Sequence, residues 1–253
     1  MVTVHRVDDL QDLIRQTALA FIETVAAAQA PGGGVHGDGV ARVVLTGGGA
    51  GIGMLRELAR LDAAADSQGE DFPALRVDWS RVHIFFGDER NVPTSDPDSN
   101  EGQARGALLQ HVDIPEPHIH GYDLGAIAME AAAQAYEAEL EEYAPQGFDL
   151  HLLGMGGEGH INSLFPHSDA VRETERRVVA VSDSPKPPAE RLTLTLPAVQ
   201  SADRVWLLVA GEAKAEAAAR VAHGDDPDYW PACGAQGRVE TILYVAEDAA
   251  GDI

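Results

Sequence analysis

Three apolar runs in this chain show almost no polar alternation: Val43-Val44-Leu45-Thr46, His83-Ile84-Phe85-Phe86 and Val205-Trp206-Leu207-Leu208-Val209. A strand with one face in water alternates apolar and polar residues, so unbroken runs of this kind belong to strands covered on both faces. Strand-like segments at 40–46, 82–86, 148–153, 178–181, 205–209 and 241–246 are separated by stretches with helical spacing at 10–28, 52–65, 100–111, 126–143 and 212–222. This alternation predicts an α/β fold with a doubly wound, mainly parallel sheet and helices on both faces. With 253 residues, 45% of them hydrophobic, the chain can bury one such sheet, and a single domain spanning 1–253 is expected. The Gly-rich stretch 31–39 and the Pro-rich stretch 182–188 are too short to divide it.

Charge narrows the partners. Lys and Arg number 18 against 41 Asp and Glu, a net −23 that repels nucleic acid and anionic membrane surfaces, so neither is an expected partner. The only lysines are Lys186 and Lys214, and any phosphate site has to be assembled locally against the overall field. The one cysteine, Cys233, can form no internal disulfide and no multi-cysteine metal site, and is expected as a loop or core filler. The N-terminus lacks a basic segment followed by an apolar run, and no stretch has the length of a membrane span, so a cytoplasmic location is expected.

In a doubly wound sheet ligands bind beyond the carboxyl ends of the strands, so the residues that follow each strand carry the functional reading. After the first comes Thr46-Gly47-Gly48-Gly49-Ala50-Gly51-Ile52-Gly53, which suits a tight β-to-α turn and an anion cradle equally well. It is neither a Walker loop nor a dinucleotide fingerprint. After the second come Gly87-Asp88-Glu89-Arg90 and then Ser99-Asn100, residues suited either to a hydroxyl-rich or phosphorylated ligand or to a solvated, helix-capping turn.

The third strand leads into Gly154-Met155-Gly156-Gly157-Glu158-Gly159-His160. Gly154, Gly156 and Gly159 satisfy G-x-G-x-x-G, with Asp183 available as a ribose-binding acid, but Pro166 interrupts the helix a dinucleotide site would need. The better reading is a glycine loop presenting His160 as a general base. The pairs His160/His167 and His118/His120 match no tight zinc spacing, so no metal is expected, and the absence of G-x-S-x-G argues against a serine esterase. Finally, Lys186 with Arg191, and Lys214 in a first helical turn where a cation opposes the dipole, are candidate anion ligands.

Taken together, TGGGAGIGML, VHIFFGDERNVPTSDPDSN, FDLHLLGMGGEGHINSLFPH, SPKPPAERLTLTLPA and VWLLVAGEAKAEA resemble the 6-phosphogluconolactonase family, in order and over most of the chain. The resemblance implies a Rossmann-like sheet shared with sugar-phosphate isomerases and deaminases, and hydrolysis of 6-phospho-D-glucono-1,5-lactone without metal or organic cofactor. It implies His160 as catalytic base with Asp88 beside it, and a substrate-binding set of Gly47, Gly48, Gly49, Arg90, Asn100, Lys186, Arg191 and Lys214. Two departures stand out. Gly49-Ala50-Gly51 replaces the family's frequent Ser-Thr-Pro, and Glu158 stands where an Asp is usual. An amino-sugar phosphate deaminase is the nearest enzymatic alternative, but its Asn-Glu-Pro is Leu164-Phe165-Pro166 here. A non-catalytic sugar-phosphate sensor would need neither His160 nor Asp88.

Overall fold

The computed structural model describes residues 2–68, 75–125, 127–251 and 253. Among the described residues nine strands form, β1 (Thr3–Val7), β2 (Ala41–Leu45), β3 (Val82–Phe86), β4 (Asp88–Arg90), β5 (Leu150–Gly154), β6 (Val178–Val181), β7 (Arg191–Leu194), β8 (Arg204–Val209) and β9 (Glu240–Ala246). Six of them make a parallel sheet in the order β1-β9-β8-β5-β2-β3. β2 is buried along its whole length and β8 everywhere except its first residue, as the unbroken apolar runs require.

The helices are α1 (Leu10–Ala28), α2 (Gly48–Gln68), α3 (Asn100–Ala104), α4 (Met129–Tyr143), α5 (Leu196–Gln200) and α6 (Ala215–His223). α1 begins where the Asp9 carboxylate accepts the Asp12 N–H at 2.8 Å, and it buries Leu13, Thr17, Phe21 and Val25, a stripe four residues apart. It packs on α2, and both lie against the sheet, while α6 packs on β9.

Three strands escape the sequence pattern. β1 is a short, mostly exposed edge strand, and β4 and β7 begin or end on charged residues. β4 and β7 join the expected strand at 178–181 in a second, antiparallel sheet of order β4-β7-β6, backed by α4. Helix limits shift as well. The helix expected at 52–65 starts inside the glycine run at Gly48, and the one expected at 100–111 passes from α3 into a π-helical turn, Arg105–Leu109. The helix expected at 126–143 is α4, Ala126 itself lying outside the described residues. The segment expected at 212–222 opens as a 3₁₀ turn, Glu212–Lys214, before α6. No helix follows Gly159, which removes the dinucleotide reading of that loop.

Cys233 is buried in the turn Pro231–Gly234, where burial pushes its thiol up to about 11. Among the described residues no helix is long and apolar enough to cross a membrane.

The topology decides where a ligand can sit. From β2 the chain passes to β3 on one side, then returns to build β5, β8 and β9 on the other, so the direction of winding reverses between β2 and β5. A crevice opens at such a reversal, beyond the carboxyl ends of the strands.

Candidate active site

That crevice is a cleft of about 160 Å³ lined by residues following β2, β3, β5 and β8 and by the second sheet. Gly47, Gly48, Asp88, Arg90, Asn100, His160, Arg191 and Lys214, all expected from sequence, line it. Gly49 and Lys186 do not. Thr46, Gly154, Met155 and Asn162 also line it, outside the expected catalytic and substrate-binding set. Thr46 Oγ1 accepts the Gly154 N–H at 3.0 Å, tying the two loops together across the reversal.

β4 divides its three residues between two tasks because successive side chains in a strand point to opposite faces. Asp88 and Arg90 face the cleft, whereas Glu89 turns away and caps α3. The Glu89 carboxylate accepts from the N–H groups of Arg90, Asn100 and Glu101 at 2.8 Å each and from Ser99 Oγ at 2.9 Å. Burial raises its pKa, and those bonds oppose the rise. Ser99, whose Oγ accepts the Gly102 N–H, is the N-cap. Asn100 is thereby held over the cleft, its Nδ2 donating to Asp88 Oδ1 at 2.9 Å and its Oδ1 accepting from Arg90 at 2.6 Å. A Cβ on Gly47 would stand 2.3 Å from Asn100 Oδ1, so a side chain here would push the Asn100 amide off Asp88 and Arg90. The other Asp88 oxygen accepts from Ser163 Oγ at 2.6 Å, and Arg191 lies 3.8 Å from it.

The pairing of β4 with β7 sets Arg90 directly opposite Arg191. Like charges in that position are destabilising, and a bound anion would relieve them. Arg191 is buried, and it donates to the carbonyls of Pro188 at 2.9 Å and Lys186 at 3.1 Å, so it also organises the Pro-rich loop. Burial lowers the pKa of Arg191 and that of Lys214. The Gly157 turn packs against the Ala213 carbonyl, which brings Lys214 up to the His160 loop.

The imidazole of His160 stacks on Phe165 with centroids 4.8 Å apart. Its Nδ1 lies 3.1 Å from Glu158 Oε1 and 3.2 Å from Lys186 Nζ, while its Nε2 has no protein hydrogen-bond partner among the described residues. Burial and then the Lys186 charge lower the His160 pKa, against Glu158 and Asp88, which raise it. A Cβ on Gly156 would fall 2.1 Å from His160 Nδ1 and 2.7 Å from Glu158 Oε2, so the loop glycine is the space this pair occupies.

The N–H groups of Gly154, Gly156 and Gly159 all donate within the protein, to Thr46 Oγ1 and to the carbonyls of His160 and Gly156. They are therefore committed to holding the loop. Asn162 adopts the left-handed region at φ 48° and is buried, with neither amide atom hydrogen-bonded among the described residues. No periodicity marks it. Its only sequence signal is its place in the loop with His160. The alternative metal pairs are accounted for otherwise. His167 bonds Asp228 at 2.8 Å, and His118 and His120 stack with His83 in a cluster that ends on Glu139. Among the described residues no group of three or more His, Cys, Asp or Glu is arranged to hold a metal ion.

Residues 8–243 match the family model described as glucosamine-6-phosphate isomerases/6-phosphogluconolactonase. The chain is 50% identical over 232 residues to the 6-phosphogluconolactonase of Mycobacterium tuberculosis, covering 88% of this chain and 89% of that protein. Among solved structures, a 6-phosphogluconolactonase from Thermotoga maritima superposes with a TM-score of 0.80 at 24% identity, over 98% of this chain and 100% of the other. A monomeric glucosamine-6-phosphate deaminase also reaches 0.80, at 21% identity over 100% of both chains. At those identities the structural likeness speaks for the fold, which the two activities share.

Proposed function

Because this chain belongs to the glucosamine-6-phosphate isomerase/6-phosphogluconolactonase family, we propose that its cleft hydrolyses 6-phospho-D-glucono-1,5-lactone to 6-phospho-D-gluconate. The observation that carries the reading is the His160 ring, anchored at Nδ1 by Glu158 with Nε2 unengaged, set in the same cleft as Arg90, Arg191 and Lys214.

The chemistry follows from that arrangement. A lactone is an activated ester, so its hydrolysis needs an oriented water, a base for its proton and donors for the developing oxyanion. His160 Nε2 takes a proton from water as the oxygen attacks C1. The resulting imidazolium returns the proton to the ring oxygen as the C1–O bond breaks. Asp88, fixed by Asn100 and Ser163, supplies a negative charge that favours the transient imidazolium. The cations and the amino end of α2 hold the phosphate, so that binding energy remote from C1 becomes orientation at C1.

Phe165 separates this reading from a deaminase. The position where that resemblance calls for an acid is an aromatic ring stacked on the base, which buries the imidazole and supplies no proton. The test is acid release from freshly generated 6-phosphogluconolactone against its spontaneous hydrolysis, beside ammonia release from glucosamine 6-phosphate. Lactone turnover with no ammonia supports the proposal, and the opposite result replaces it with the deaminase.

A further inference from the structure

Lys186, one of only two lysines in the chain, does not line the cleft. It lies on the solvent side of the catalytic histidine, with Nζ 2.7 Å from Glu158 Oε1 and 3.2 Å from His160 Nδ1. Its loop is held by Arg191, which donates to the Lys186 and Pro187 carbonyls, and by Ser184 Oγ, which accepts the Lys186 N–H. Exposure grades outward along the row, from 19% for the His160 side chain to 38% for Glu158 and 45% for Lys186.

An ammonium can only donate, so with the ring proton on Nδ1, the tautomer that leaves Nε2 free as a base, both groups turn to the single acceptor Glu158 Oε1. This sets up a conflict that only a third charge resolves. A carboxylate at Nδ1 selects the tautomer that leaves Nε2 free, but by itself it also stabilises the protonated ring, which is useless as a base. An ammonium on the same carboxylate oxygen keeps the orientation and offsets the charge.

We propose that Lys186 is a positioning residue for the hydrolysis, gripping Glu158 beside His160 Nδ1 so that the carboxylate orients the ring while its charge is cancelled there. This deepens the lactonase reading and rests on it. The other charged groups facing His160 are Asp88 and Arg90 on β4, with Arg191 on β7 and Lys214 after β8 across the cleft. All four remain in a Lys186 variant. The longer side chain of Glu158, compared with the family's usual Asp, reaches both partners.

The experiment is the pH dependence of kcat/KM for wild type, Lys186→Met and Lys186→Arg, on 6-phosphogluconolactone and on gluconolactone without the phosphate. Loss of a like charge at this distance shifts an imidazole by roughly one pH unit. Lys186→Met is therefore expected to move the acid limb upward by about one unit for both substrates, and Lys186→Arg to restore it. An acid limb that stays in place overturns the proposal. If KM then rises only for the phosphorylated lactone, Lys186 is a phosphate anchor, and if nothing changes it is a surface lysine. NMR titration of the His160 ring in wild type and Lys186→Met reads the same shift without turnover. A protein with no lactonase activity thus refutes the functional reading and still leaves this one open to disproof.

Discussion

At the scale of single residues, the cleft separates chemistry from anchoring. His160→Ala removes the proposed base and leaves Phe165 and the loop hydrogen bonds in place, so kcat is expected to fall by about 10²–10⁴ with the fold intact. Steady-state kinetics beside a circular dichroism spectrum check this, and near-wild-type turnover would remove His160 from the mechanism. Lys214 and Arg191 separate as well. The Lys214 ammonium has no hydrogen bond or ion pair to the protein among the described residues, so Lys214→Ala is expected to weaken binding of 6-phosphogluconate by roughly tenfold to a hundredfold, the worth of a charge-assisted bond. Unphosphorylated gluconolactone should be far less affected. Arg191 also ties down the Pro-rich loop, so Arg191→Ala is expected to impair both lactones. Calorimetric binding and paired kinetics on the two lactones decide both cases, and an equal loss of both in Lys214→Ala would take that residue off the phosphate.

At the scale of elements, two short pieces hold the site. The turn after β5 has room for the His160–Glu158 pair only because residue 156 lacks a side chain. Gly156→Ala should displace the ring and cut kcat at least as severely as a misplacement of about 1 Å, roughly a hundredfold, with little change in melting temperature. Unchanged kcat would show that the loop tolerates the methyl group. The junction of β4 and α3 depends instead on Glu89, whose one carboxylate satisfies four donors. Glu89→Ala leaves these donors buried, and a loss of roughly 3 kcal/mol or more is expected in urea unfolding. A loss below about 1 kcal/mol would mean that water or a rearranged α3 replaces the cap. GDER was readable as a polar site motif, yet its tetrad of hydrogen bonds was not, because the partners Ser99, Asn100 and Glu101 reach Glu89 only after α3 has packed on β4.

At the scale of the whole molecule, the sheet carries a buried histidine, His151, and a half-buried one, His83, that make stability sensitive to pH. Burial pushes His151 and His83 each down to about 3, so both are neutral in the folded protein near neutrality. The unfolded chain binds protons at these residues below about pH 6.5 and the folded protein does not, so their contribution is present above that pH and is lost as pH falls toward 3. Each histidine adds a slope approaching about 1.4 kcal/mol per pH unit within that window. Melting temperature is therefore expected to drop between pH 7 and pH 5, and less steeply in His151→Leu. A flat profile would mean that the charged ring is accommodated in the fold.

The chain by itself determined the doubly wound sheet, because burial on both faces is written locally as unbroken apolar runs, and it determined most of the cleft, because ligands in such a sheet meet the residues just after its strands. That rule singles out His160 and Lys214, whereas Asp88 and Asn100, equally suited to a helix-capping turn, joined the set through the family resemblance. Only the tertiary structure decided how β4 and β7, too short and too charged to declare themselves, pair so that Arg90 meets Arg191. It also decided that Glu89 faces inward to cap a helix while Asp88 faces the cleft, and that Lys186 reaches Glu158 rather than the cleft. The physical reason is one of range. Periodicity records how a segment buries its own side chains, whereas the partner of a charge is chosen by whichever distant element the packing brings within about 3 Å of it.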